Sequence, residues 1–188
     1  MMSRGLALAV VFVLVFAAAV CSARAQWSGA DLQAAAAVLD AAKLSIEDAT
    51  ITAAALDPEG LVIGVETRVD AGQNCWAVSL LGKDELRTML LDAATGSERR
   101  VERRRLPSDA ANIRGLIPQG TIGHVEACRI ATEALPGARV FAVRTTAPGS
   151  VIVYEVRLLL GRDPKWAQID ASGGVIFAGD PPKTKPKR

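Results

Sequence analysis

His124 is the only histidine of the chain, and it bounds the chemistry. A Ser–His–Asp triad or a Cys–His pair would have to be built on it, and a centre with two or three histidine ligands cannot be built at all. There is no Gly-rich phosphate loop and no His-Glu-x-x-His helix. His124 itself falls at the start of a predicted helix, where a solvated or locally bonded ring is expected. Asp92 and Asp170 stand out among the carboxylates because each opens an Asp-Ala-x-x-Gly pentapeptide. Such an aspartate accepts nearby amide hydrogens while the glycine takes positive φ, so turn chemistry explains both without a metal or an acid–base pair. These residues predict a non-enzymatic protein with no catalytic residues, no metal ligands and no cofactor.

What is left to the side chains is contact. Arg99, Arg100, Arg103, Arg104 and Arg105 crowd one segment, diluted by Glu98 and Glu102. Such a run is either a solvated face or a docking patch for acidic protein, lipid headgroups or envelope polymer. Cys75 and Cys128 stand in no paired spacing. They are either a disulfide, if the chain reaches an oxidising compartment, or two isolated small hydrophobes.

The compartment is suggested by the first residues. Arg4 precedes an apolar run from Leu6 to Val20, and Ala23-Arg24-Ala25 follows. Charge, a short apolar run and A-x-A make a secretory signal peptide over residues 1–25, cut before Gln26. An uncleaved anchor and a lipoprotein modified at Cys21 are the other readings, the second disfavoured by bulky Val20 before the cysteine. No later stretch is long and apolar enough to span a bilayer, so a periplasmic or secreted protein with no transmembrane segment is expected. The 188 residues carry 22 Lys+Arg and 20 Asp+Glu. Cleavage removes two of the arginines and no acid, leaving 20 against 20, which gives no reason to expect a nucleic-acid partner. The ending, Pro181 to Arg188, is proline and lysine without apolar residues and is expected to form a disordered basic tail.

An internal repeat organises the rest. A shift of 78 positions lays Pro58 on Pro136, Val65 on Val143, Thr67 on Thr145, Trp76 on Tyr154, Val78 on Val156 and Asp92 on Asp170 without a gap. Each half reads as a helix, a breaker and a run of antiparallel strands. Ser45, with Asp48 three residues on, caps a helix over Ile46 to Leu56, and Val125 to Leu135 is its counterpart. Predicted strands are Leu61 to Val69, Trp76 to Leu80, Arg87 to Leu91 and Glu98 to Arg103, then Arg139 to Thr146, Tyr154 to Leu158, Lys165 to Ile169 and Val175 to Ala178. Alternation sets Trp76, Val78, Leu80, Tyr154, Val156 and Leu158 toward the helices. Arg157 and Leu159 fall on the opposite face and join Arg99, Arg100, Arg103 and Arg104 as candidate partner contacts.

The helix, the Leu135-Pro136-Gly137 breaker, the Tyr154-Glu155-Val156 strand and the closing run from Ile169 to Ile176 resemble the PepSY domain. Trp76-Ala77-Val78 and the run from Leu91 to Gly96 are similar to a second copy. The resemblance implies a cystatin-like fold, and a non-enzymatic role in the cell envelope, often proposed to restrain a peptidase. The predicted fold class is α+β, with two tandem PepSY-like repeats, each one helix on a three- or four-stranded antiparallel sheet. The organisation expected is a signal peptide (1–25), an extra N-terminal helix (26–43), repeat one (44–103), a linker (104–120), repeat two (121–180) and the tail (181–188). The expected function is binding of a cell-envelope protein, with a peptidase and its inhibition included. The alternative is a small ligand or envelope polymer held in the cleft between repeats and by the arginine cluster.

Overall fold

The computed structural model describes residues 28–106, 113–116, 122–148 and 151–181. The expected signal peptide, most of the linker and all but Pro181 of the tail lie outside the described residues. The elements run α1 (Gly29–Ala41), α2 (Ile46–Leu56), β1 (Leu61–Asp70), β2 (Gln73–Leu81), β3 (Glu85–Asp92), β4 (Glu98–Arg105), α3 (His124–Ala134), β5 (Arg139–Thr146), β6 (Val153–Leu160), β7 (Asp163–Asp170) and β8 (Val175–Gly179). Arg104 and Arg105, expected to open the linker, finish β4 instead.

Local chemistry accounts for the helix starts. Ser28 and Ser45 each accept the amide hydrogen of the aspartate three residues on, and Asp31 and Asp48 answer by accepting from the serine amides. Two orphan donors are satisfied at each end. Helix α3 starts on Gly123 without a side-chain cap. It is tied instead through Ile122, whose amide donates to the Ala171 carbonyl at 3.1 Å.

The strands form one sheet in the order β4-β3-β2-β1-β5-β6-β7-β8, every pairing antiparallel. The expectation of two tandem helix-on-sheet repeats with a cystatin-like fold is therefore corrected. Strands β1 and β5, the first of each half, hydrogen-bond to one another, with Gly64, Val65 and Glu66 opposite Arg144, Val143 and Ala142. Both helices of the repeat also share one core. Val38, Ile46, Ala49, Trp76, Val78 and Leu80 of the first half belong to the same buried cluster as Ala127, Cys128, Tyr154, Val156 and Leu158 of the second. Neither half has a core of its own, so the meanders make one structural unit. Burying a side chain such as Leu80 or Leu158, each fully buried, contributes about 1.5–3 kcal/mol.

Helices α2 and α3 lie on the face carrying Trp76, Val78, Tyr154 and Val156. Helix α1 reaches round the end of the sheet. Its Val38 stays in the main core, while Ala35 packs with Phe141, Ala142 and Leu159 on the second face.

Candidate functional site

The arginine cluster falls on β4, one of the two sheet edges, and its charges are matched. Arg68 of β1 grips Glu102 with both terminal nitrogens, at 3.2 and 3.1 Å. Arg100 meets Glu102 at 2.6 Å and Asp70 at 3.0 Å, and Arg104 lies 3.5 Å from Glu102. Arg99 pairs with Asp92 at 3.3 Å and Arg103 with Glu85 at 3.3 Å. The Arg68 hydrogen bonds hold the Glu102 carboxyl below its ordinary range against its partial desolvation, and Arg100 adds to them. Strand alternation also divides the cluster. Arg100, Glu102 and Arg104 stand opposite Leu90, Thr88 and Leu86 on the second face, while Arg103 stands opposite Arg87 on the helix side. The predicted basic patch is thus a lattice of ion pairs spread over two faces. Charged side chains along an edge strand also deter another strand from pairing there.

Leu159 is not available to a partner. It is 1% exposed and sealed beneath α1. Arg157 lines a cleft of about 270 Å³ on the second face, at the seam between β1 and β5. Small residues make the hollow: Gly64, Ala77, Ser79 and Ala142 stand at its floor, with Leu86 and Ile113 beside them. Each seam strand carries a register shift there, between Val62 and Gly64 and between Val140 and Ala142. Gly64 is needed for the close approach, since a methyl at this position would meet the Val143 carbonyl oxygen at 3.3 Å. Arg144 at the rim is held by Glu155, with contacts of 2.7 Å from Nε and 2.6 Å from Nη2. Burial draws Arg157 below its ordinary range, the neighbouring Arg144 charge adds to that, and Glu66 and Glu155 work against it.

The opposite edge strand, β8, has a different character. Val175, Ile176 and Phe177 are 49%, 48% and 37% exposed. Phe177 rests on Trp166 of β7 with ring centroids 5.3 Å apart, and Lys165 pairs with Asp180 just beyond the strand. Nothing charged stands within Val175–Gly179.

The remaining candidates are structural. Cys75 and Cys128 are free and buried, so the disulfide reading is corrected. Cys128 faces the main core from α3, whereas Cys75 neighbours Trp76 on β2 and so points to the other face. The sheet stands between them. His124, 7% exposed, is locally bonded rather than solvated. Its Nε2 lies 3.0 Å from the Thr145 hydroxyl, and Tyr154 packs edge-on at 5.2 Å. Burial draws the imidazole down to about 4, against a bond to the Ile63 backbone. Asp92 accepts from the amides of Thr95 and Ala94, which hold its carboxyl low. At Asp170 burial works upward, and the Ser172 hydroxyl with the amides of Gly174 and Ser172 outweighs it. Both aspartates build turns, as their spacing predicts. Among the described residues no cluster of three or more potential metal ligands occurs, and no helix is long and apolar enough to cross a membrane.

Gly64, Glu66, Ser79 and Arg144 join the cleft without having been singled out by the sequence. Gly64 carried a signal, as a glycine interrupting an otherwise apolar strand. The apolar β8 edge was visible as a strand, yet its place at the sheet border depends on the whole strand order.

No family model matches the chain, and no curated protein matches it. Among solved structures, that of a candidate lipoprotein from Clostridium difficile 630 is similar at 17% sequence identity and a TM-score of 0.48, covering 72% of this chain and 92% of that one.

Proposed function

We propose that the chain is an exported, PepSY-related binding protein that acts without catalysis, engaging an extended segment of a cell-envelope protein along β8. The observation that carries this reading is the contrast between the two edges of the sheet. The β4 edge is covered by paired charges, and the β8 edge presents exposed Val175, Ile176 and Phe177. An edge strand offers a row of unpaired backbone donors and acceptors, and an incoming strand completes them while its side chains use the flanking apolar surface. The Leu6–Val20 run and the Ala23-Arg24-Ala25 site support export. The likeness of the Tyr154 strand and the Asp170 turn to PepSY supports a secreted peptidase as partner, with inhibition in trans as the consequence.

The test uses residues 26–188, tagged, against a periplasmic extract, beside a Val175→Lys/Ile176→Lys double variant whose melting curve matches the parent. Recovery of a peptidase whose activity falls on titration, and its loss in the double variant, is the expected result. A partner retained equally by both proteins overturns the β8 reading. A partner with no peptidase activity removes the inhibitor assignment and keeps the binding one.

A further inference from the structure

The cleft at the β1–β5 seam is built from the least promising materials for a core. The second face is otherwise closed by large side chains: Leu81, Leu90 and Leu159 are each at most 1% exposed. At the seam the side chains shrink to Gly64, Ala77, Ser79 and Ala142, and a hollow of about 270 Å³ remains. Filling that space with aliphatic carbon would stabilise the fold, because an unfilled apolar hollow forfeits dispersion contacts on its lining. Two bulges, one on each seam strand, keep it open, and bulges recur where a sheet re-aims side chains toward a site.

The rim supplies the second observation. Arg144 and Arg157 approach closely enough for their charges to repel, in a setting that partly excludes water. Glu155 is committed to Arg144 by two short contacts. Glu66 stands on the opposite side of the mouth. A guanidinium fork matches a carboxylate in geometry as well as in charge. The Ser79 hydroxyl offers one more donor beside an apolar floor.

We propose that the seam cleft is a binding site for a small organic carboxylate with a short apolar body, the carboxylate meeting the Arg157 guanidinium and the body lying on Ala77, Ala142 and Ile113. The volume suits a ligand of aliphatic-acid or apolar amino-acid size. The site is separate from β8, at the opposite border of the second half, so it stands or falls independently of the strand-addition reading. The carboxylate supplies a neutralising partner for the Arg144–Arg157 pair, and the apolar body replaces water over a floor that offers it few hydrogen bonds.

The test is amide chemical-shift titration of residues 26–188 with hexanoate and, separately, with hexan-1-ol, an uncharged probe of the same length. The expected result is saturable shifts at Gly64 and Ser79 with hexanoate, at a Kd below about 1 mM, and at least tenfold weaker binding of the alcohol. Arg157→Gln should weaken hexanoate about tenfold and leave the alcohol unchanged. Ser79→Leu, which fills the floor, should abolish both and gives a second route if the arginine variant fails to fold. Equal binding of both probes overturns the anion assignment. Unsaturable shifts, or shifts elsewhere on the chain, overturn the site.

Discussion

Trp76 and Tyr154, 78 positions apart, hold the two helices to the sheet by the same device. The Trp76 indole donates to the Leu44 carbonyl at 3.2 Å, and the Tyr154 hydroxyl donates to the Ile122 carbonyl. Leu44 and Ile122 are themselves 78 positions apart, and the amide of each donates to a turn carbonyl, Ala93 and Ala171 respectively, at 3.1 Å. Different ring chemistries therefore satisfy one orphan carbonyl at each helix entrance. Tyr154→Phe keeps the ring and leaves the Ile122 carbonyl unpaired. Urea unfolding should show a loss of about 1–2 kcal/mol with an unchanged denaturant slope, and an unchanged midpoint would show that water replaces the hydroxyl without cost.

His124 gives the fold a pH dependence of definite sign. Its folded-state value, about 4, lies below the ordinary 6.5. Between these values the unfolded chain binds a proton that the folded chain does not. Stability is then complete above pH 6.5 and is lost as the pH falls toward 4, by up to about 3 kcal/mol. Denaturant midpoints at pH 7, 5.5 and 4.5 should fall in that order, and His124→Leu should flatten the series.

Much of this was legible in the sequence. The eight strands follow period-two alternation, and the Asp92 and Asp170 turns follow from Asp–Gly spacing. The disulfide error was avoidable on the same grounds. Cys75 alternates with Trp76, which puts it away from the helices, while Cys128 lies on the inward face of α3. The single sheet was not legible, because the seam rests on three residues of β1 meeting three of β5, and Gly64 records a close approach without naming what approaches. The fate of Leu159 was hidden likewise, since only α1 folding back over the second face buries it. The arginine partners Asp70, Glu85 and Asp92 come from neighbouring strands and their ends, which a one-dimensional charge run does not reveal.

Glu102 is the shared counter-ion of Arg68, Arg100 and Arg104. Glu102→Gln removes the charge and leaves three guanidiniums facing one another at the β4 edge. The variant should melt below the parent, the deficit should shrink at high salt as repulsion is screened, and heparin retention should rise. An elution position equal to the parent's would mean that the three arginines find other partners.

Both cysteines should resist thiol reagents in the folded protein. Burial raises the thiol of Cys75, and burial together with the Glu47 charge raises that of Cys128, so neither offers a thiolate. A disulfide-exchange reagent should titrate no thiol in residues 26–188 under native conditions and two in denaturant, without prior reduction. One reactive native thiol would show that a region of the sheet opens.

The unequal edges of the sheet also limit stoichiometry. Head-to-tail growth of sheets into a fibre needs two receptive borders on every copy, one to give and one to take. Here the Glu98–Arg105 border is armoured with charge and the Val175–Gly179 border alone is receptive. Any strand added at β8 ends the assembly, whether it comes from a foreign chain or from another copy. The molecule can close a one-to-one complex along its backbone but cannot polymerise through it.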